Sequence, residues 1–280
     1  MTFTMKNITK IFDAAAARRR CLNYRRRILQ VSQQVSALHG AAAFSALEMA
    51  DCAYHGLMRG SPGKSSPDTF LMSKGHGCMS QYVILEDLGI LSRSDLDLYC
   101  KEGGRLGCHP DYGNPGIEAS TGSLGHGMAL ATGMAYTEKY IHKTDGVVYV
   151  VLSDGEFQEG STWEAMMMAA NLGVTNLVAM LDHNGFQSFG RTAETHPAFY
   201  PIREKVDAFG WESIEVNGHD GAAIHSAVSL RKGQKPFILI GNTIKGKGVS
   251  FMENEPIWHY RSPNAAEYKQ AITELKEIAE

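Results

Sequence analysis

The fold is decided by residues 147–186, whose sequence is VVYVVLSDGEFQEGSTWEAMMMAANLGVTNLVAMLDHNGF. An apolar run at residues 147–152 passes into Ser-Asp-Gly-Glu, and a second apolar run at 177–181 passes into Asp-His-Asn-Gly-Phe. The stretch 159–172 between them is predicted to be a helix. A strand, a helix and a strand in this order form a βαβ unit, whose two parallel strands end at the same edge of the sheet.

The rest of the chain continues this alternation of helices and apolar strands. Further strands are predicted at residues 214–216 and 237–241, and helices at 13–38, 45–57 and 81–88. Continuous apolar strands between helices are typical of a parallel sheet buried on both faces. We predict a three-layer α/β fold, with a mostly parallel sheet and helices on both faces. Because no linker or repeat interrupts the pattern, we interpret residues 1–280 as one domain.

Composition excludes several classes of protein. The chain has 280 residues, of which 44% are hydrophobic and 20% charged, and its net charge of -3 does not favour nucleic acid as a partner. No apolar run reaches the ~20 residues of a membrane span, and no secretory signal is evident in the first 30 residues. Five dispersed cysteines without CxxC spacing indicate reduced thiols in a cytoplasmic protein, not a disulfide framework or a zinc site.

Polar side chains follow both strands of the βαβ unit. Asp154 and Asn184 come just after the strands, so we expect them to converge at the carboxyl edge of the sheet, where ligands bind. Carboxylate and amide oxygens suit Mg²⁺, which keeps positions for phosphate oxygens. Gly155 lets a phosphate approach the backbone, and the helix that starts near Glu159 directs free N–H groups there. Asp-Gly and Asn-Gly are also ordinary turn pairs, so the residue types alone are weak evidence. Their location at the ends of two buried strands is what favours Mg²⁺ bridging a diphosphate.

Residues 153–186 resemble the thiamine diphosphate signature GDG…NN, with Ser153 for the first Gly and His183 for the first Asn. The resemblance implies that Asp154, Asn184 and the backbone carbonyl of Phe186 hold the metal, which would be Mg²⁺ or, in its place, Ca²⁺ or Mn²⁺. It implies that the cofactor is contacted by His76, Gly122, Ser123, Leu124, Asp154, Gly155, Glu156, Asn184, Lys245 and His259.

Four histidines narrow this resemblance to the transketolases. They lie in Ala37-Leu-His-Gly40, Ser73-Lys-Gly-His-Gly77, Gly107-Cys-His-Pro110 and Trp258-His259. Together with residues 116–127 and 243–248, they extend the resemblance over residues 18–264. It implies that His39 and His259 act on the donor sugar and in proton transfer. It also implies that His76 and His259 approach the diphosphate, and that His109 binds a hydroxyl of the two-carbon unit. Imidazoles suit such a site because they donate hydrogen bonds and move protons near neutral pH.

Other matches and departures concern the edges of the expected site. Glu159 matches a carboxylate that links the two active sites of a transketolase dimer, and Lys245 matches a lysine near the diphosphate and substrate. His126 replaces a common Gln, which either changes a contact on the pyrimidine side or is a form typical of split enzymes. Tyr260 replaces a common Gly after His259. Its ring either narrows the donor channel and alters sugar preference or points to the surface.

The resemblance also implies a partner chain. Transketolases carry a pyrimidine-binding domain with the glutamate that activates the cofactor, and no second α/β domain follows residue 264, where a short amphipathic helix is predicted. We therefore expect a separate carboxyl-terminal subunit, an α2β2 assembly, and sugars or sugar phosphates as substrates. Two alternatives stay open: another thiamine diphosphate enzyme, similar to 1-deoxyxylulose-phosphate synthase or a 2-oxoacid dehydrogenase α subunit, and a non-catalytic cofactor-binding subunit.

Overall fold

The fold is built on a five-stranded parallel sheet. The computed structural model describes residues 12–35, 38–60, 66–188 and 190–277. The strands lie in the order β1-β2-β3-β7-β6, and every neighbouring pair is parallel. They are β1 (Thr69–Met72), β2 (Val148–Ser153), β3 (Leu177–His183), β6 (Glu212–Asn217) and β7 (Phe237–Asn242). A separate short hairpin consists of β4 (Phe186–Gln187) and β5 (Gly190–Arg191).

Both faces of the sheet are covered by helices, as predicted. One apolar core contains residues of α1 (Ala14–Ser32), α2 (Gly40–Asp51), α3 (Cys78–Asp87), α9 (Gly221–Ser229) and α10 (Ala265–Glu277). The core on the opposite face contains residues of α5 (Gly127–Tyr136), α6 (Gly160–Asn171) and α8 (Ile202–Ala208). Short helices α4 (Arg93–Asp97) and α7 (Thr192–Thr195) lie in the connections. The three-layer α/β fold is therefore confirmed.

The continuous apolar strands are explained by this double coverage. In β2, Tyr149 and Val151 pack into the first core, whereas Val150 and Leu152 pack into the second. Successive side chains of a strand point to opposite faces, so both sets must be apolar when both faces are buried. All six residues of β2 are buried.

Several predicted boundaries differ from the structure. The helix predicted at 13–38 ends at Ser32, where the hydroxyl donates to the Leu29 carbonyl at 2.6 Å and competes with the backbone pattern of a helix. The helix predicted at 45–57 begins at Gly40 and passes into a π-helical segment at Cys52–Leu57. Strand β1 was not predicted because four residues are too few to show a period. The amphipathic helix predicted after residue 264 is present at Ala265–Glu277, and Ile278, which would continue its apolar face, lies outside the described residues.

The sheet brings the ends of three strands to one edge. Ser153 lies opposite Asp182 in the pairing of β2 with β3, and His183 lies opposite Asn242 in the pairing of β3 with β7. The residues that follow β2, β3 and β7 therefore emerge together. In the part of the chain that the structure describes, no helix has the length and apolar character needed to cross a membrane.

Candidate active site

Asp154 is buried at the carboxyl end of β2 with part of its carboxylate unpaired. The Oδ2 atom accepts a hydrogen bond from the Gly185 N–H, while Oδ1 is buried and has no hydrogen-bond partner among the described residues. Burial and then the nearby Asp182 raise the pKa of Asp154 well above its ordinary value. A buried carboxylate oxygen without a partner is costly, and a bound cation would compensate for it. The residue therefore fits a metal site.

Asn184 immediately precedes Gly185, whose N–H donates to Asp154. Its Nδ2 atom lies 3.2 Å from Asp182 Oδ2 and 3.4 Å from Ser45 Oγ, so the amide nitrogen faces those acceptors. The Oδ1 atom accepts from the Phe186 N–H at 2.9 Å and keeps a second lone pair. Among the described residues no cluster of three His, Cys, Asp or Glu could hold a metal. A cation held here by few protein groups would take its remaining ligands from phosphate oxygens and water.

A buried ion pair that was not predicted from the sequence orients Asn184. Lys74 and Asp182 form this pair, and both are fully buried. Asp182 also accepts from Ser45 Oγ at 2.6 Å and from Thr243. Burial alone would raise the pKa of Asp182. Lys74 and these hydrogen bonds outweigh burial and hold that pKa below its ordinary value. The sequence Ser73-Lys-Gly-His-Gly77 could have indicated this ion pair, because a lysine next to an apolar strand needs an acidic partner.

The four predicted histidines meet in one cleft of about 460 Å³. His39 is central: its ring centroid lies 5.7 Å from that of His76, 6.2 Å from that of His109 and 5.3 Å from that of His259. The same cleft is lined by Gly122, Leu124, Gly155 and Phe186, and by Gln158 and Gln187, which were not predicted. Residues from separate segments of the chain are thereby brought together over the end of the sheet.

Burial keeps most of these imidazoles neutral near pH 7. Burial, with His109 as the next cause, lowers the pKa of His39 to about 4. Burial and then Lys245 lower the pKa of His259 to about 3, and burial and then Lys74 lower that of His76 well below its ordinary value. A neutral imidazole donates one hydrogen bond and accepts another, so these groups can both bind hydroxyls and transfer protons.

Lys245 forms a buried contact with one of these rings. Its Nζ atom lies 2.7 Å from His259 Nδ1, and the side chain is about 1% exposed. Burial and then Lys74 lower the pKa of Lys245 to about 8. At neutral pH the ammonium donates to Nδ1, which leaves Nε2 as the nitrogen of His259 that carries the proton.

Close backbone packing holds the loop that carries Gly122. This residue has φ of 123°, and a Cβ atom there would lie 2.4 Å from His109 Cδ2. Glu156, buried at the start of the turn after β2, accepts from Ser73 Oγ and, at 3.1 Å, from the Gly125 N–H. Burial raises the pKa of Glu156 to about 7. Glu156 therefore supports the loop from below and does not line the cleft.

A short turn separates Asp154 from the helix that was predicted to start near Glu159. A single 3₁₀ turn, Glu156–Gln158, precedes α6, and its N–H groups at Phe157 and Gln158 donate to Asp154 and Gly155 carbonyls. The helix starts at Gly160 with Glu159 as its N-cap. The helix therefore begins close to its predicted start near Glu159, one 3₁₀ turn after Asp154.

Ser123, His126 and Glu159 lie toward a groove next to the cleft of the histidines. Ser123 is exposed, and its carbonyl lies 3.0 Å from His126 Nδ1. Both line an adjacent groove of about 970 Å³, together with Leu130 and Met134 of α5. Glu159 is exposed at the boundary between groove and cleft, where a Cβ atom on Gly125 would lie 2.8 Å from its Cβ atom. These residues face away from the chain's own core.

Tyr260 faces the cleft. Its ring makes edge contacts with His39 and His259, at centroid distances of 5.0 and 4.5 Å, and remains 54% exposed. Of the two positions expected for this ring, the structure has the one beside the histidines.

Comparisons with known proteins agree over most of the chain. Residues 17–276 match the family model described as the thiamine diphosphate binding domain of transketolase. The chain is 38% identical to an apulose-4-phosphate transketolase subunit of Phocaeicola vulgatus, over 91% of this chain and 92% of that one. It is 35% identical to a 6-deoxy-6-sulfo-D-fructose transketolase subunit of Clostridium sp., over 85% and 88% of the two chains.

Longer transketolases match over part of their length. Human transketolase is 34% identical over 88% of this chain, which covers 40% of the human protein. The crystal structure of transketolase from Campylobacter jejuni superposes with a TM-score of 0.87 at 24% identity, over 96% of this chain and 43% of that one, and so shares the fold. The chain therefore belongs to the transketolase family and corresponds to its thiamine diphosphate binding domain.

Proposed function

We propose that this chain is the cofactor-binding subunit of a two-chain transketolase. The complete enzyme would transfer a two-carbon ketol unit from a ketose, or its phosphate, to an aldose acceptor. The observation that carries the proposal is the ring of imidazoles around His39, directly above the carboxyl ends of β2 and β3. The alternatives with another thiamine diphosphate chemistry, or with none, are not favoured by the match to transketolase subunits.

The metal and the diphosphate would lie at the strand ends. We assign Mg²⁺, with Ca²⁺ or Mn²⁺ as substitutes, to Asp154, Asn184 and the carbonyl of Phe186. The unpaired Oδ1 atom of Asp154 supports this assignment. When bound, thiamine diphosphate supplies the nucleophilic carbon and electron sink for breaking the bond next to the ketose carbonyl.

The chain's own side chains would then act on the sugar. We assign His39 and His259 to the donor oxygens, His109 to a hydroxyl of the two-carbon unit, and His76 and His259 to the side of the diphosphate. The support is the position of these rings in the lining of the cleft. The low pKa of His39 and of His259, about 4 and about 3, keeps both imidazoles neutral, so each can donate one hydrogen bond to a sugar oxygen and accept another. Lys245 would keep the proton of His259 on Nε2.

The remaining assigned contacts belong to the loop and turn around the cleft. We assign Gly122 and Leu124 to the rings of the cofactor, Gly155 to its phosphates, and Ser123 and Glu156 to supporting positions. The close approach of Gly122 to His109 supports a loop fixed against the cleft. Because Ser123 faces the neighbouring groove, its contact would be made where a second chain completes the site.

A second polypeptide would supply the pyrimidine-binding domain. Residues 1–280 would form one diphosphate-binding domain, two of which would assemble with two partner chains. The groove beside Glu159 supports this, because its α5 wall and the neighbouring face of α6 expose Leu130, Met167 and Met168. The relatives of similar length are themselves named subunits. All five cysteines are free, which fits the reducing conditions of the cytoplasm.

A reconstitution experiment tests this function. The chain is mixed with a separately expressed pyrimidine-domain chain, thiamine diphosphate and Mg²⁺, and two-carbon transfer between sugar phosphates is followed by product analysis. We expect transfer only when both chains are present. In the His259→Ala variant cofactor binding should persist while turnover falls by about 100-fold, a size usual for loss of a proton-transfer group. Full activity of the chain without a partner would rule out the divided enzyme, and unchanged turnover in the variant would remove His259 from the mechanism.

A further inference from the structure

The loop that carries Lys245 is held in place by side chains from distant parts of the sequence. It follows β7, and two of its backbone groups bind polar side chains that are largely shielded from solvent. The Ile244 N–H donates to His219 Nε2 at 2.8 Å, and the Lys247 carbonyl accepts from Arg25 Nε at 2.9 Å. The loop is therefore anchored on both sides of Lys245.

Both anchors meet at one carboxylate, that of Glu48 on α2. Glu48 Oε2 lies 3.0 Å from His219 Nδ1, and Glu48 Oε1 lies 2.7 Å from Arg25 Nη1. Arg25 on α1 is 3% exposed and also donates to the Phe44 carbonyl at 3.0 Å. Burial alone would raise the pKa of Glu48. Arg25 and His219 outweigh burial and lower that pKa to about 2, so the carboxylate is ionised.

These contacts allow only one form of His219. Because Nε2 accepts the Ile244 N–H, it carries no proton, and Nδ1 must carry the hydrogen that it donates to Glu48. If Nε2 of His219 were protonated, or the ring removed, the Ile244 N–H would lose its acceptor. The carboxylate of Glu48 thus determines which side of the His219 ring faces the loop.

The same helix connects this cluster with the cleft. α2 begins at Gly40, immediately after His39, and carries Glu48 two turns further along. The loop on the other side presents Lys245 Nζ to His259 Nδ1 at 2.7 Å. A shift of the loop would change the contact between Lys245 and His259, although His219, Glu48 and Arg25 themselves do not line the cleft.

We propose that Glu48, Arg25 and His219 are positioning residues, which hold the Ile244–Lys247 backbone so that Lys245 keeps the proton of His259 on Nε2. The consequence for turnover rests on the proposed transketolase function, whereas the consequence for the protonation of His259 does not. Residues that contact a reacting group from behind fix its orientation, and even a small displacement of that group lowers the reaction rate.

The chain offers a matched control for a purely structural role. Arg20 and Asp51 form a second ion pair between α1 and α2, with Nε–Oδ1 at 2.7 Å. Asp51 is about 1% exposed and the Arg20 side chain 24% exposed. None of the hydrogen bonds that this pair makes among the described residues reaches the loop of Lys245. The Asp51→Asn variant therefore loses a comparable ion pair while leaving the positioning cluster intact.

The first test is nitrogen NMR of the full chain with labelled histidine. A Gln at position 219 places an acceptor near the former Nε2, whereas an Asn places its polar group near the former Nδ1. We expect the His259 Nδ1 signal to lose its hydrogen-bonded, unprotonated character in His219→Ala and His219→Asn, and to keep it in His219→Gln and Asp51→Asn. A wild-type signal in both His219→Ala and His219→Asn would overturn the proposal. An equal change in Asp51→Asn would also overturn it, because a general loss of packing would then explain the effect.

The second test measures turnover of the reconstituted enzyme. We expect His219→Asn to lower kcat by about 10- to 100-fold with little change in KM for the donor, and His219→Gln to recover most of it. Equal kcat values for the Asn and Gln variants would contradict the proposal. If the wild-type chain shows no two-carbon transfer, the proposed function fails, and the NMR signal of His259 still decides the positioning claim.

Discussion

The Nζ atom of Lys245 and the Nδ1 atom of His259 lie 2.7 Å apart in the buried wall of the cleft. The two side chains come from the loop after β7 and from the 3₁₀ turn at Pro256–His259. Their contact joins a cation to a neutral imidazole and so favours one protonation state of each. The proton transfer expected in the cleft depends on these two protonation states.

Removing the ammonium should raise the pKa of His259. In Lys245→Met we expect it to rise from about 3 but to stay below 6.5, because burial is the larger cause and persists in the variant. NMR titration of the ring measures this directly. Lys139→Met serves as the control, since Lys139 donates to the Gly173 carbonyl on the other side of the sheet. An unchanged pKa of His259 in Lys245→Met would show that the two groups are not coupled.

The buried histidines should make the fold sensitive to mild acid. The pKa of His39 is about 4 and that of His259 about 3, against 6.5 for an unhindered imidazole. Between pH 6.5 and pH 4 each of these two histidines therefore binds more protons in the unfolded chain than in the folded one. The contribution of each such histidine to the free energy of unfolding must then decrease as the pH falls, by up to about 1.4 kcal/mol per pH unit.

Denaturant unfolding of the full chain from pH 7 to pH 5 measures that slope. His39→Asn should reduce it, because one of the protonation sites that open on unfolding is gone. His142→Asn, at a surface histidine whose side chain is 57% exposed, should leave the slope as in the wild type. If His39→Asn and the wild type lose stability equally steeply, His39 is not held neutral by burial.

Asp154→Asn should have opposite effects on stability and on binding. The Asn side chain keeps an acceptor for the Gly185 N–H but removes the buried charge, so the metal-free chain should become more stable by about 1–3 kcal/mol. At the same time Mg²⁺-dependent binding of thiamine diphosphate should disappear. Thermal unfolding and calorimetric titration with the cofactor measure the two effects. Retained metal-dependent binding would remove Asp154 from the metal site.

Tyr260→Ala should change which donors are used. The ring narrows the cleft beside His39 and His259, so its removal should raise kcat/KM for longer ketose phosphates relative to shorter ones, by about 10-fold. Competition between donors of different chain length in the reconstituted enzyme provides the ratio. Tyr112→Ala is the control, because that ring is 73% exposed and does not line the cleft. An unaltered ratio in Tyr260→Ala would mean that the ring has no part in selecting the sugar.

The convergence of Asp154 and Asn184 was predictable from physical rules alone. Two continuous apolar runs with a helix between them require parallel strands, and parallel strands end together. The cluster of histidines was not predictable in this way, because His39 and His259 lie at opposite ends of the sequence and no local period connects them. Their grouping was expected only from the resemblance to transketolases.

Other parts of the site depend on contacts that a sequence pattern does not contain. The ion pair of Lys74 with Asp182 spans 108 positions, and the anchoring of the Lys245 loop by Arg25 spans 222. His219 carries no signal of its own in the sequence, because a single histidine is usually a satisfied core or surface residue. The orientation of Ser123 toward the groove depends on how two loops pack, which composition does not specify.

The central claim is that the active enzyme needs this chain and a pyrimidine-domain chain together. The most direct measurement is a titration at fixed concentration of this chain, with excess thiamine diphosphate and Mg²⁺, in which two-carbon transfer is followed while the second chain is added. We predict no transfer at zero partner, a linear rise, and a plateau at one partner per chain. Full transfer without the partner, or none at any ratio, would contradict the account.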